Sequence, residues 1–219
     1  MESCTIGFMA RHLPFTLFVL ALTLGLEAQP TSRQQPPAQS TPPATVASIE
    51  PGEIVNGVYH NSTVGFRYTI PFGWVDRTEE MRETATDPAK AGVLLAIFER
   101  PPAAQGDTVN AAVVIAFEAA SAYPGLKSAA QYFGPVTELT TAKGFKPVAD
   151  PYEFPVDGRP IVRRDFVRTM SAISMHQSTL ALLTKGSIVS FTFLGGSDDE
   201  VTALIEQLAF ERAHKPAHK

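Results

Sequence analysis

Cysteine is nearly absent from this chain, which contains a single one, Cys4, among 219 residues. Cys4 precedes an apolar segment typical of an export signal, so a protein processed after that segment would hold no thiol. Such a protein can form neither a disulfide nor a cysteine-based zinc site, and it lacks a thiolate nucleophile. We therefore expect a packed apolar core to stabilise the fold.

Charge is also scarce, and neither sign forms a cluster typical of nucleic-acid binding. Charged residues make up 18% of the chain, and the formal net charge is −4. Nucleic-acid-binding domains carry a clustered basic face, so we expect no nucleic-acid partner. Hydrophobic residues reach 44%, which is ordinary for a globular protein.

Several catalytic and cofactor motifs are missing. The sequence has no Gly-x-Ser-x-Gly nucleophile turn, no His-Glu-x-x-His zinc pair and no Walker loop for phosphate. We therefore predict no catalytic residue, no bound metal and no cofactor, and we expect that the protein is not an enzyme.

The N-terminal segment predicts export. Residues 13–26 form an almost wholly apolar run of fourteen positions, preceded by Arg11. A membrane-spanning helix needs about 20 apolar residues, whereas a secretory signal has a shorter apolar region behind a positive charge. We predict a signal peptide over residues 1–28, cleaved near Ala28, and hence a periplasmic or extracellular protein. The alternative is an uncleaved anchor, which would be the only contact with a membrane.

Proline-rich sequence separates this signal from the domain. Residues 29–51 contain six prolines with many Gln, Ser, Thr and Ala residues. Such sequence buries too little apolar surface to offset the loss of chain entropy. We predict a disordered linker over residues 29–53, a folded domain over residues 54–211 and a disordered tail over residues 212–219.

Short segments with strand patterns dominate the domain. Residues 57–78, GVYHNSTVGFRYTIPFGWVDRT, alternate strand-like and turn residues, and Pro71 ends a strand because it has no N–H to donate. Two continuous apolar runs predict strands that are covered on both faces. Asp157-Gly158 predicts a tight hairpin turn, and Lys185-Gly186 also predicts a turn. The predicted strands are 58–59, 66–70, 93–98, 111–117, 161–170, 173–184 and 187–194.

Two segments have helical periodicity. Residues 126–143 repeat apolar side chains at near-helical spacing, and the Gly134-Pro135 pair inside them predicts a kink or two shorter helices. Residues 197–210 begin with a Ser-x-x-Glu capping box and predict a helix that ends near residue 210. The order β-β-β-β-α-β-β-β-α predicts an α+β fold, an antiparallel β-sheet flanked by helices on both faces.

Three features together resemble the PsbP-like family. They are the Gly-Phe, Ile-Pro and Gly-Trp pairs of residues 59–74, the Gly-turned strand pair that ends in residues 190–193, and the capped terminal helix. The resemblance covers about residues 56–210 and implies an α/β/α sandwich, a fold shared with a small Ran-GTPase-binding family. It also implies a non-enzymatic accessory role, which plant and cyanobacterial members perform for photosystem II. Nothing in this sequence points to that partner, so the resemblance implies the fold and not the function.

Three arginines on one predicted strand are the first choice for a ligand or partner contact. Arg163, Arg164 and Arg168 lie in the segment 161–170. A guanidinium group can hold a carboxylate or phosphate with two parallel hydrogen bonds. The alternative is that these are rim charges paired across neighbouring strands.

A histidine offers an enzymatic alternative. His176 could act as a general base for Ser174 or Ser178, and His60 could lie near it. Such an exported hydrolase would need a histidine, a hydroxyl and a carboxylate within hydrogen-bond reach in one pocket. A histidine hydrogen-bonded within a strand is the commoner case.

Two further features have structural explanations. Trp74 follows a Pro-x-Gly turn, and we expect its indole to pack against the sheet edge. Gly195-Gly196-Ser197 could bind an anion at a helix start, but the acidic residues that follow complement the helix dipole themselves.

The sequence therefore predicts an exported, non-catalytic accessory or binding domain that acts through a surface for an unknown protein or small ligand. Two alternatives remain: the exported hydrolase, and an envelope structural protein held by an uncleaved anchor.

Overall fold

The computed structural model describes residues 49–83, 90–101, 104, 106–171 and 173–211. The predicted signal peptide, its cleavage point at Ala28 and the predicted tail lie outside the described residues, as does the linker up to residue 48. Ile49 is only 4% exposed and belongs to the main core cluster. The folded part therefore begins before the predicted boundary at residue 54, because an apolar side chain at the end of the linker is buried.

Twelve strands and three α-helices make up the described residues. In chain order they are β1 Glu53–Val55, β2 Val58–Asn61, β3 Phe66–Thr69, β4 Val75–Asp76, α1 Thr78–Arg82, β5 Ala91–Phe98, β6 Ala112–Ala119, α2 Ala129–Ala142, β7 Lys146–Pro147, β8 Tyr152–Glu153, β9 Val162–Met170, β10 Ile173–Thr184, β11 Ser187–Gly195, α3 Asp198–Ile205 and β12 Leu208–Phe210.

The larger sheet has eight strands, and every pairing in it is antiparallel. Its order is β4-β5-β6-β11-β10-β9-β7, and β8 pairs with β9. The fold is thus α+β and mostly antiparallel sheet with few helices, which confirms this part of the predicted fold class.

A second sheet of four strands, in the order β1-β2-β3-β12, was not predicted. The strand-and-turn interpretation of residues 57–78 is confirmed, and one of these strands, β3, pairs with β12 from the last part of the domain. The prediction that the last helix runs to residue 210 is wrong, since α3 ends at Ile205 and β12 pairs with β3. Leu208 and Phe210 are buried on either side of a more exposed Ala209, which is the period of a strand and not of a helix.

The helix α2 is one continuous element, so of the two predicted outcomes at Gly134-Pro135 the division into two shorter helices is wrong, and the kink stays a prediction. Pro135 removes one hydrogen bond, but buried residues lie on both sides of it, with Tyr132 and Phe133 before and Thr140 after. Packing along this face holds the helix together across the proline. Gly144 follows the end of the helix with φ +85°, the left-handed conformation that glycine commonly adopts there.

Pairs of residues in the left-handed backbone conformation form the tight turns. In the predicted turn at Asp157-Gly158 the φ values are 48° and 77°. In the predicted turn at Lys185-Gly186 they are 48° and 78°. A third pair, Asn56-Gly57, joins β1 to β2 with φ values of 51° and 77°. Asn-Gly is a strong hairpin signal that the sequence analysis missed.

Apolar packing joins the elements into clusters. The largest contains aromatic residues of the small sheet, alternate residues of the large sheet such as Phe191 and Phe193, and Val201, Leu204 and Ile205 of α3. A second cluster joins α2 to Ala181 and Ile188 of the large sheet. In the part of the chain that the structure describes, no helix is long and apolar enough to cross a membrane.

Candidate functional site

The three candidate arginines do not form one patch. Successive side chains of a strand point to opposite faces, and β9 separates Arg163 from Arg164 and Arg168 in this way. Arg164 donates to the hydroxyl of Thr137 in α2 (2.8 Å). Arg163 instead donates to Ser178 in β10 (3.0 Å). A ligand therefore cannot be held by all three guanidinium groups together.

Arg163 belongs to a network that we call the β9–β10 cluster, formed by Tyr152, Arg163, Asp165 and Ser178. Arg163 Nε donates to Asp165 Oδ1 (2.8 Å), and the Tyr152 hydroxyl donates to Asp165 Oδ2 (2.8 Å). The Ser178 hydroxyl donates to the same carboxylate. The guanidinium group also lies 5.0 Å from the ring centre of Phe154. Both carboxylate oxygens and the guanidinium group are engaged within the domain.

The network changes the pKa of the Tyr152 hydroxyl. Partial burial, followed by the hydrogen bond to Asp165, raises the pKa of the Tyr152 hydroxyl from 10.0 to about 12. Burial and the nearby carboxylate both disfavour a phenolate. The hydroxyl is thus held as a donor, which suits a structural hydrogen bond.

The other two arginines pack beside α2. Arg164 lies 5.8 Å from the ring centre of Phe166, and its Nη2 is 4.0 Å from Asp150. Arg168 lies 6.0 Å from the ring centre of Phe145. These contacts place the two guanidinium groups beside aromatic rings, and the contact of Arg168 connects β9 to Phe145, which follows α2.

His176 does not complete the set that the hydrolase alternative requires. Its Nδ1 lies 2.7 Å from Oδ1 of Asp198 at the start of α3. Among the described residues, His176 has no hydrogen bond to a serine, and Ser178 is only 2% exposed and bonded to Asp165 and Arg163. His60 lies in β2 of the small sheet, whereas His176 lies in β10 of the large one.

The start of α3 is capped as the sequence predicts. The Ser197 hydroxyl accepts the Glu200 N–H (3.1 Å), and Glu200 Oε2 accepts the Gly196 N–H (2.6 Å). The carboxylate therefore reaches one residue further back than in the usual capping box. Two of the N–H groups that an anion would use are already occupied.

The most unusual surface lies at the turn after β3. Phe72 is 105% exposed, so its ring packs against none of the residues that the structure describes. Trp74, two residues later, is half-buried and packs against the main core cluster, as expected. From its sequence this segment is predicted only as strands and turns, with no binding surface. The available signal was an apolar Phe in a turn, a position where polar residues dominate.

Trp74 borders an open hollow of about 380 Å³, which we call the Trp74 groove. Its lining includes Pro71 and Trp74 from the turn, Glu99 after β5, and Glu200, Leu204 and Gln207 from the α3 region. The Tyr68 hydroxyl donates to the Leu204 carbonyl (3.1 Å) and fixes the end of α3. The groove thus has fixed apolar walls and two carboxylates.

A second hollow, of about 320 Å³, lies beside Tyr123 and Leu126 before α2. The Tyr123 hydroxyl donates to Glu118, and burial, followed by contact with this carboxylate, raises the pKa of Tyr123 well above its usual value. Burial raises the pKa of the neighbouring Tyr132 in the same way. The hydroxyl of Tyr123 and the carboxylate of Glu118 are therefore each other's hydrogen-bond partner.

No group of three or more His, Cys, Asp or Glu side chains in the described ranges could hold one metal ion.

Comparisons with known proteins give distant structural likenesses. No family model and no curated protein sequence matches this chain. The solution structure of cyanobacterial PsbP (CyanoP) from Synechocystis sp. is 14% identical with a TM-score of 0.46, over 70% of this chain and 91% of that one. LpqN of Mycobacterium tuberculosis, involved in cell envelope biogenesis, is 12% identical with a TM-score of 0.34, over 67% of this chain and 83% of that one.

A Pseudomonas aeruginosa protein of unknown function is 16% identical with a TM-score of 0.34, over 48% of this chain and 70% of that one. These identities and TM-scores are too low for an argument about activity or partners, and membership of the PsbP-like family stays a prediction. The chain is similar to these structures over parts of its length.

Proposed function

We propose that this chain is an exported, non-catalytic accessory domain that binds another protein through the turn at Phe72 and the adjoining Trp74 groove. One observation carries the proposal: Phe72 is 105% exposed. A large apolar side chain held in water has an unfavourable hydration free energy that a binding partner would relieve. Aromatic residues are also enriched where protein interfaces concentrate their binding energy.

The polar side chains elsewhere in the domain support a binding role for the Phe72 turn, because they are bonded to each other. Arg163 and Asp165, the most prominent charged pair on the sheet, are bonded to each other and to Ser178. His176 is bonded to Asp198 and to no serine among the described residues. The hydrolase alternative therefore gains no support from the geometry, whereas the Phe72 ring is fully exposed and packs against none of the described residues.

Export rests on the sequence of residues 1–28, with its apolar run and preceding Arg11. We further infer the PsbP-like arrangement, in which α2 and α3 cover opposite faces of the large sheet. The inference is supported by the alternation along β10, where Ala181 packs with α2 while Leu180 and Leu182 belong to the cluster that contains α3 residues.

Site-specific photo-crosslinking tests the binding surface. A photoreactive phenylalanine analogue is placed at position 72 of the full chain in the cells that produce it, and at position 152 as the control. Tyr152 is 40% exposed but lies in the β9–β10 cluster. We expect a discrete crosslinked protein from position 72 and none from position 152. Equal labelling at both positions, or none at position 72, would contradict the proposal.

The intact mass of the recovered protein tests export. A species that begins near Gln29 in the soluble exported fraction is expected. A full-length species in the membrane pellet would contradict cleavage and favour the alternative of an anchored envelope protein.

A further inference from the structure

We infer that the Trp74 groove binds an extended, proline-rich peptide segment that carries a basic side chain. This inference rests on the proposed function, since it names the chemistry of the partner for the same surface. It follows from the shape of the groove, from its hydrogen-bonding groups and from its charge.

The apolar walls of the groove are preformed. The indole of Trp74 packs against the main core cluster, and the Tyr68 hydroxyl fixes the facing end of α3 through Leu204. A wall that does not have to be ordered loses little entropy when a ligand binds. Rigid aromatic grooves of this kind suit polyproline II segments, which are themselves ordered before binding.

The hydrogen-bonding groups favour a ligand that accepts bonds. Among the described residues, the Trp74 indole N–H makes no hydrogen bond. Beside it, the Gln207 amide is held only by a long contact of 3.4 Å to the Ala203 carbonyl. The indole is a donor and has no acceptor atom. Proline residues offer backbone carbonyls and no N–H groups, so a proline-rich backbone can satisfy this donor while its rings contact the apolar wall.

The charge of the groove favours a basic group in the ligand. Glu99 and Glu200 both line it, and because Glu200 Oε2 already accepts the Gly196 N–H (2.6 Å), Glu99 is the main carboxylate for a ligand. The contacts from Arg100 and the Ala111 N–H to Glu99 are long, at 3.5 and 3.4 Å, and Arg100 also donates to the Thr108 hydroxyl and carbonyl at 2.9 Å. An arginine of the ligand would bring a complementary charge to these carboxylates. Anionic lipid would be repelled, which argues against a membrane surface.

Phe72 extends the contact beyond the groove. It lies one residue from Pro71, which lines the groove, and its ring is free. A ligand bound beside Pro71 is therefore expected to contact the exposed ring of Phe72 as well.

Fluorescence provides a direct test, because Trp74 is the only tryptophan of the chain. The probe is a synthetic peptide of nine prolines followed by arginine, titrated into the full chain at low salt. We expect a saturable change in tryptophan emission with a Kd between about 10 μM and 1 mM. Peptides that replace proline with alternating glycine and serine, or arginine with glutamate, should bind at least about tenfold more weakly.

Variants locate the binding. Phe72→Ser should weaken binding about tenfold and Glu99→Gln about threefold, while Asp150→Asn at the 102% exposed Asp150 should leave it unchanged. All three sites are exposed enough for the variants to keep the fold, which the unfolding midpoint verifies.

The inference would be overturned by the absence of a saturable change, by equal binding of the glycine-serine peptide, or by a response to anionic vesicles in place of the peptide. If the peptide fails but crosslinking at position 72 succeeds, the proposed function stands and only the proline-rich class is wrong.

Discussion

The β9–β10 cluster and the Trp74 groove are two surfaces of one domain with opposite properties. In the cluster, Asp165 accepts hydrogen bonds from Tyr152, Arg163 and Ser178, so polar groups satisfy each other. In the turn beside the groove, Phe72 is 105% exposed, and its ring packs against none of the described residues. The comparison shows that a conspicuous run of charge can be satisfied within the domain, and it is the exposed ring of Phe72 for which we propose a partner outside it.

Among changes to the two surfaces, removal of the central carboxylate of the β9–β10 cluster should have the largest effect on stability. Asp165→Ala leaves the guanidinium of Arg163, 15% exposed, and the buried Ser178 hydroxyl without their acceptor. We expect the free energy of unfolding to fall by about 3 kcal/mol, because unpaired buried polar groups are costly. Urea denaturation measures this change. The matched control is Asp150→Ala, at an exposed carboxylate 4.0 Å from Arg164, which should cost less than about 0.5 kcal/mol.

A smaller loss is expected at the wall of the groove. Tyr68→Phe removes the hydrogen bond to the Leu204 carbonyl and should lower the unfolding free energy by about 1 kcal/mol. The same variant should reduce the affinity for the proline-arginine peptide, since the end of α3 is less firmly held. Unchanged affinity in a destabilised Tyr68→Phe protein would show that this bond supports the core alone.

The loss of stability that Tyr152 causes at alkaline pH should be smaller than the effect of Tyr68→Phe. The folded-state pKa of Tyr152 is raised to about 12, above its ordinary value of 10.0. Its contribution to stability is therefore complete below pH 10 and is lost as the pH rises through about 12, because the unfolded chain releases the proton first. Comparison of the wild type with Tyr152→Phe by urea denaturation, from about pH 9 to about pH 11.5, should show the wild type losing more stability. Parallel curves would contradict the raised pKa.

The smallest change in stability is expected at the most exposed position. Phe72→Ser should alter the unfolding free energy by less than about 0.5 kcal/mol, since the ring buries no surface. Phe191→Ala, at a fully buried phenylalanine, should cost about 4 kcal/mol in the same assay. A large loss in Phe72→Ser would mean that the ring packs within the domain, and the comparison of the two surfaces would fail.

The sequence alone determined most of the local structure. The alternation of residues 66–70, the glycine turns at Gly158 and Gly186, and the capping box at Ser197 all depend on neighbours a few residues away. Local steric and hydrogen-bonding rules are enough to predict such features. The strands β9, β10 and β11 were predicted within about two residues at each end, which is the usual uncertainty of element boundaries.

Only the tertiary structure decided how these elements combine. The pairing of β12 with β3, and hence the second sheet, joins residues at opposite ends of the domain. Strand alternation separates Arg163 from Arg164, but the partner of each depends on what packs against its face, with Ser178 on one side and Thr137 of α2 on the other. The exposure of Phe72 likewise depends on which described elements pack near the turn. These are long-range properties, since packing between distant segments sets burial, and burial decides whether a charge is satisfied and an aromatic ring is free.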